Sequence, residues 1–277
     1  MGVVKRIFAN KNFTAGLILI AILVIITIIS LFWTPYVPTE IDQGAINSAP
    51  SGEHWGGTDK LGRDLLSRTM VAGQTAFSIG IITVSCSMVI GVLLALIAGY
   101  FQGVAGSLIM RLTDAFKSIP SLLFAMMIAA ILGRSFATTT LAITLILIPQ
   151  FIRMTRAAVL KVKESEYIEW TKLVGLNSMR VMMLHILPNV ISTVIVTASL
   201  CFSEAVLTEA ALSYLGLGIQ PPDPSWGQML SEGQSSIITS PWGVLLPGAM
   251  ITLMVLGFNL LGDGLSEMLN SRISSKS

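Results

Sequence analysis

Charge is scarce in this 277-residue chain: only 12% of its residues are Asp, Glu, Lys or Arg, about half the share found in ordinary soluble domains. With 53% hydrophobic residues, too little polar surface remains to cover a soluble fold, so that class is excluded. The gaps in charge are also long. No charged residue stands between Lys11 and Glu40, or between Arg68 and Arg111, and about 20 apolar residues in a helix cross a hydrocarbon core of about 30 Å. Cysteine is limited to Cys86 and Cys201, both inside apolar runs. A disulfide framework would need paired cysteines in exposed loops, and small buried helix residues are the plain reading. No Gly-Lys dipeptide occurs, whereas a Walker A loop needs Gly-Lys-Ser or Gly-Lys-Thr. ATP binding is therefore not expected of this chain. Repeats of about 20–50 residues and low-complexity tracts are lacking too.

What is present reads as an all-α integral membrane protein with six transmembrane helices. The runs predict spans at 13–33, 75–100, 116–133, 136–154, 188–211 and 242–262. The run from Phe13 to Trp33 outlasts a signal-peptide core, and no small-x-small cleavage pattern follows before Pro35, so it is expected to stay as the first helix. Lys117 and Pro120 stand at the start of the third span, where proline fits a first turn and lysine can snorkel to the headgroups. Gly133-Arg134-Ser135 leaves room only for a tight hairpin between the third and fourth.

Lysine and arginine set the orientation. With the amino terminus in the cytoplasm, Lys60, Arg63, Arg68 and Arg134 lie outside and the other thirteen of the 17 basic residues lie inside. The positive-inside rule selects this arrangement, with both termini cytoplasmic. The first outer loop, about 34–74, is irregular, with a short helix expected around Leu61–Met70. The outer segment 213–241 contains Pro221, Pro222 and Pro224, which exclude a continuous helix there.

The inner loop, about 155–187, is the most informative polar segment. Ser165 is a reasonable N-cap, and Glu164, Glu166 and Glu169 put negative charge at the positive end of a helix dipole. Tyr167, Trp170 and Val174 fall at i, i+3 and i+7 on one apolar face, Gly175 suits a left-handed terminator, and Asn177-Ser178 offers a second helix start. A helix lying on lipid would explain Trp170 and the upstream basic residues. It would not explain three glutamates, which anionic headgroups disfavour. A helix-in-groove contact with a cytoplasmic protein suits both the charges and the aromatics.

The run Glu169-Trp170-Thr171-Lys172-Leu173-Val174-Gly175, then nine residues, then His185-Ile186-Leu187-Pro188 resembles the EAA loop of ABC importer permeases. Trp170 and Thr171 replace its two alanines and His185 its isoleucine, while Glu169, Gly175, Leu187 and Pro188 match. The segment from His54 to Asp64, H-W-G-G-T-D-K-L-G-R-D, resembles the outer-loop signature of the dipeptide, oligopeptide and nickel permeases. Arg111-Leu112-Thr113-Asp114 with Ile119-Pro120 is similar to their second-to-third helix connection. The stretch Glu209 to Gly218, with Pro222 and Ser225-Trp226-Gly227, and Phe258 to Asp263 fit the same group. Ser266-Glu267 departs from its more common Arg-Asp. The resemblance spans nearly the whole chain and is closest to the second, "C", permease of these heterodimers.

This resemblance implies a type I ABC importer permease fold in a bacterial inner membrane. Residues 1–74 would carry the first helix and outer loop, and 75–277 the permease core, with a coupling helix at about 165–175. Glu166, Tyr167, Glu169, Trp170, Leu173 and Gly175 would meet an ATP-binding subunit. Other implied partners are a homologous second permease, one or two ATP-binding subunits, an extracytoplasmic binding protein and lipid; no nucleic acid, cofactor, metal site or catalytic residue is implied. His54, Gly57, Thr58, Asp59, Gly62, Arg63 and Asp64 form the outer signature. There Asp59, Arg63 and Asp64 either cap the outer gate and meet the binding protein, or form a capping and ion-pair cluster with Asp59 as N-cap.

Glu204 and Glu209 are acidic residues within an apolar span, which costs about 2.5–3.5 kcal/mol each on insertion scales. Each needs a partner or water: Glu209 could cap the turn before Leu215, and Glu204 either lines the path or bonds a neighbouring helix. Met126, Met127, Met182 and Met183 are better read as flexible packing than as a metal path. Peptides are the expected cargo, with nickel or another metal chelate as the alternative. A stand-alone secondary transporter would want charges in several helices and often an internal repeat, and a membrane-anchored sensor has no use for the outer signature.

Overall fold

Each long uncharged run folds as a helix. The computed structural model describes residues 10–274, except for the side chains of Glu169, Lys172, Leu173 and residues 270–274. Lys5, Arg6, Lys276 and the side chains of Lys172 and Arg272, all counted in the charge argument, lie outside the described residues. Among the described residues the regular structure is helical, apart from one antiparallel bridge between Thr58 and Asp64.

Helix α1, Lys11–Phe32, starts at Asn10, whose Oδ1 accepts the Phe13 amide at 2.9 Å. The same side chain donates to Glu267 at 2.7 Å, tying α1 to the last helix. After a 3-10 turn at Gln43–Ala45 comes α2, Leu65–Tyr100. Its 36 residues span about 54 Å, well beyond a hydrocarbon core of about 30 Å. The short helix expected near Leu61–Met70 and the span expected from 75 are thus one rod: no helix breaker separates them, and Gly73 packs against Thr27 and Trp226 instead of ending the helix.

The third expected span is broken. Helix α3, Val104–Lys117, and helix α4, Ser121–Leu132, meet at 84°. Pro120 explains the break, because its ring pushes the preceding residue out of the helical region. At 12 residues, α4 reaches only about 18 Å. Five helices are long and apolar enough to cross a membrane, and this bent pair supplies the sixth crossing if taken as one span.

Helix α5, Phe136–Lys163, is capped by Ser135 after a hairpin at Gly133, which has φ of 86°. It runs past the expected 154 and ends only where α6, Glu166–Leu173, begins. Helix α7, Ser178–Val181, passes through a π-helical turn, Met182–Ile186, into α8, Leu187–Tyr214. Pro188 accounts for the wider turn, since it cannot donate the regular backbone bond. Helix α9, Trp226–Gln234, follows the proline-rich segment, and α10, Trp242–Ser274, closes the chain.

Glycine sets two of the helix contacts. A Cβ on Gly16 of α1 would lie 2.7 Å from the Gly257 carbonyl oxygen of α10, and one on Gly80 of α2 would lie 2.3 Å from the Phe202 ring of α8. Close backbone approach of this kind holds helices together in lipid, where dispersion rather than the hydrophobic effect drives packing. The Phe202 ring in turn stacks on Phe258 of α10 at 3.9 Å. Helices α2 and α5 form the centre with α8 packed against both, and α10 packs chiefly against α1 and α8.

A candidate coupling site and an outer charged knot

At the carboxyl end of α2, the α5–α6–α7 segment presents the first candidate site. Lys163 donates to the Tyr100 carbonyl at 2.9 Å and Arg156 to the Ala98 carbonyl at 3.3 Å. These bonds satisfy acceptors that the helix end leaves open and fix the position of α6. Ile168 is fully buried among Val159, Val181 and Ile186 in the main core cluster. The Tyr167 hydroxyl donates to the His185 carbonyl at 3.3 Å and accepts from Asn189 Nδ2 at 3.0 Å.

The end of α6 follows from one glycine. Gly175 has φ of 76°, the Leu176 amide donates to the Thr171 carbonyl at 3.1 Å, and the Val174 amide donates to the Trp170 carbonyl at 3.1 Å. The first of these is the six-to-one bond of a left-handed helix stop. An added Cβ at Gly175 would meet nothing within 4 Å, so only backbone conformation demands glycine there. Asn177 caps α7 by accepting the Met179 amide at 3.0 Å. The expected N-cap, Ser165, instead donates its hydroxyl to the Val162 carbonyl.

The predicted apolar face of α6 points away from the bundle: Trp170 is 66% exposed and Val174 75%, with Tyr167 and Glu166 exposed beside them. The side chains of Glu169 and Leu173 lie outside the described residues. Ile168, the anchor that holds this helix, was not singled out by the sequence; lacking an apolar i+3 or i+4 neighbour, it gave no periodic signal.

The second site sits at the amino end of α2. Asp59 Oδ1 accepts the amides of Leu61 and Arg63 at 2.8 and 3.0 Å, and its Oδ2 accepts Arg63 Nε at 2.6 Å. Asp59 therefore closes a tight turn. The N-cap of α2 is Asp64, which accepts the Ser67 amide at 2.7 Å and pairs with His54 Nδ1 at 3.0 Å. The expectation that Asp59 caps the helix is corrected, because the Asp59–Arg63 hairpin must close before the helix can start. Gly57 and Gly62 both have positive φ, and a Cβ on Gly62 would lie 1.8 Å from the Asp42 carbonyl oxygen. Thr58 is buried and donates its hydroxyl to the Ala45 carbonyl.

Across the loop, Glu232 of α9 accepts from Arg63 at 2.6 Å and from Arg68 at 3.0 Å. Arg68 is 2% exposed. Trp226, also of α9, donates its indole N–H to the Thr69 carbonyl at 3.0 Å. Sequence reasoning missed the Glu232–Arg68 pair because the partners are 164 residues apart and carry no local pattern. Two arginines and two carboxylates thus neutralise one another inside the protein.

Glu204 and Glu209 are not brought together. Five positions along α8 turn them about 140° apart. Glu209 is 1% exposed and accepts the Ser213 hydroxyl at 2.7 Å, while Ser213 Oγ accepts the Ile219 amide at 3.1 Å. Glu209 thereby fastens the turn after α8. Glu204 is half-buried, and among the described residues no ion pair involves it.

Comparison with known proteins bears on the chain as a whole. A family model described as "Binding-protein-dependent transport system inner membrane component" matches residues 91–275. The chain belongs to this family. The amino-terminal part, residues 2–50, matches the "N-terminal TM domain of oligopeptide transport permease C". Among the relatives, the di/tripeptide transport system permease protein DppC of Pseudomonas aeruginosa is 40% identical, covering 96% of this chain and 90% of the relative. The dipeptide permease protein DppC of Alkalihalophilus pseudofirmus is 39% identical, covering 98% of this chain and 89% of the relative. The glutathione transport system permease protein GsiD of Pectobacterium atrosepticum is 38% identical over 91% and 85%.

The family's fold is that of type I ABC importer permeases, and its members are multi-pass inner-membrane subunits, not enzymes. Such a permease works with ATP-binding and substrate-binding partners.

Proposed function

We propose that this permease forms one half of a translocation path for short peptides, paired with a similar but non-identical permease. In this reading both termini are cytoplasmic and the α6 region, Glu166 to Gly175, is the coupling helix gripped by an ATP-binding subunit. The observation that carries it is the exposed Trp170–Val174 face on a helix whose opposite side is clamped by buried Ile168. An aromatic and an aliphatic side chain held rigidly on a short helix make an anchor for a groove, and a clamped helix transmits a push to the bundle instead of absorbing it.

Peptide cargo is supported by the names of the relatives, which are di/tripeptide, dipeptide and glutathione permeases. An extracytoplasmic binding protein delivers the peptide to the opposite face, near the Asp59–Arg63–Glu232 knot. Half-buried Glu204 is the pathway candidate, where a carboxylate would attract a peptide ammonium group. Uptake of labelled dipeptide and of nickel in a deletion strain, with and without this permease, tests the reading. Restored dipeptide uptake is expected; restoration of nickel uptake alone would overturn the peptide assignment.

A further inference from the structure

The bend between α3 and α4 puts a lysine near the middle of the bundle. Lys117, Ile119 and Ser121 line one small hollow with Leu145, Ile146 and Pro149 of α5. The uncharged stretch of α5 runs from Phe136 to Ile152, so its middle falls near Thr144, about 2–8 Å along the helix from those three residues. The bend therefore lies close to mid-depth, whereas the sequence alone puts Lys117 within reach of the headgroups. Every residue from Asp114 to Pro120 is exposed, and α4 starts without a side-chain cap. Among the described residues the Lys117 ammonium takes part in no ion pair. Open backbone groups and a lone ammonium at this depth do not face lipid; they face water or protein.

The lysine points toward α8. Its ammonium and the Glu204 carboxylate both bear on the Cys201 thiol, so the two charges stand on the same side of the bundle. Their depth follows from two helix contacts. Ser87 of α2 donates to the Thr144 carbonyl at 2.9 Å, and Gly80, nearer the outer knot, packs on the Phe202 ring of α8. Cys201 and Glu204 thus lie on the knot side of mid-depth, and Lys117 reaches toward them, away from the cytoplasmic headgroups. Glu204 is half-buried, and no ion pair joins it to Lys117. Two lone charges of opposite sign therefore stand on two helices at one side of the bundle. A short peptide near neutral pH carries the complementary pair, an ammonium at one end and a carboxylate at the other.

We propose that Lys117 reads the carboxylate end of the peptide while Glu204 reads its ammonium end, so that the path selects zwitterions. This rests on the peptide reading above, in which Glu204 lines the path. An ammonium and a carboxylate form the stronger, charge-assisted class of hydrogen bond, and a path that holds both ends fixes the direction in which the peptide lies.

The test uses the assembled transporter and its binding protein in liposomes, with Cys86→Ser, Cys201→Ala and Lys117→Cys in this chain and uptake measured per assembled complex. The same background with Lys117 intact is the control. A methanethiosulfonate carrying an ammonium rebuilds a lysine-like cation at position 117, and one carrying a sulfonate puts an anion there. Dipeptide uptake in Lys117→Cys is expected to fall at least about tenfold, as for one lost hydrogen bond to a charged group. It is expected to recover with the ammonium reagent and to stay low with the sulfonate. Without any reagent, Lys117→Arg is expected to keep uptake and Lys117→Met to lose it. The double variant Lys117→Gln with Glu204→Gln is expected to do no better than either single one. Failure of both reagents to react at position 117, equal uptake after both, normal uptake in Lys117→Met, or recovery in the double variant would each overturn the proposal. Absence of dipeptide uptake in the control would overturn the proposed cargo and this inference with it. Normal dipeptide uptake that ignores the charge at position 117 would overturn this inference alone.

Discussion

The two ends of α2 carry motifs of opposite construction. At its amino end the charged residues of the signature face one another: Asp59, Arg63, Arg68 and Glu232 close a buried knot. At its carboxyl end the α6 region does the reverse, hiding Ile168 and leaving Trp170 and Val174 in the open. A motif whose side chains satisfy each other is accounted for by folding. A motif whose apolar side chains point outward from a rigid support has surface left over for a partner or for lipid. The contrast supports the proposal that the α6 region docks a partner, although the outer signature also exposes one apolar side chain, Trp55, as fully as α6 exposes Trp170.

That contrast can be broken by mutation, and the largest effect is expected at Gly62. Gly62→Ala puts a Cβ into the Asp42 carbonyl at a positive φ and should cost about 3 kcal/mol or more. It would be read as loss of folded permease in detergent by size-exclusion and thermal unfolding. A stable Gly62→Ala chain would mean that the knot does not hold the outer loop.

Next is Glu232→Ala, which strands Arg63 and Arg68 without their shared carboxylate. Breaking a buried pair from one side costs about 3–5 kcal/mol; partial exposure of Glu232 places this case at the lower end. Adding Arg68→Met should recover part of the melting temperature, and no recovery would argue that the charges act independently.

At the other end the stability readout should barely move. Trp170→Asp removes an exposed anchor, so unfolding temperature should stay within a few degrees. Co-purification of the ATP-binding subunit should fall at least about tenfold, as for an interface hot spot. Gly175→Pro should act similarly, since proline cannot adopt a φ near 76°. Normal assembly in both variants would remove the coupling assignment.

The smallest effect is expected from Tyr167→Phe. It deletes the hydroxyl that bridges His185 and Asn189, at a cost of about 0.5–1.5 kcal/mol, with ATP-binding partners still attached. A loss as large as that of Trp170→Asp would show that α6 orientation depends on this bridge more than on Ile168.

Legibility in the sequence followed the range of the interaction. The hairpin at Gly133, the left-handed stop at Gly175 and the second start at Asn177 were readable, since each depends on a few adjacent residues. The capping alternative put Asp59 at the helix start where Asp64 stands, because two carboxylates five positions apart compete for one helix start. Only the hairpin geometry between Thr58 and Asp64 settles which of them wins. Pro120 was visible, yet the 84° break it produces was not, since a proline near a first turn is compatible with a straight helix or a bent one.

By itself the sequence determined that the chain carries helices long and apolar enough to cross a membrane, and where the helix ahead of Gly175 stops. Those properties follow from local composition: lipid tolerates little charge, and helix stops need particular backbone angles. Tertiary structure alone decided that Glu232 reaches Arg63 and Arg68, that Glu209 is sealed inside while Glu204 is not, and that Trp170 faces outward. These depend on how separate helices rotate and pack against one another. That packing is governed by contacts between residues far apart in the chain, for which a single sequence holds no periodic trace.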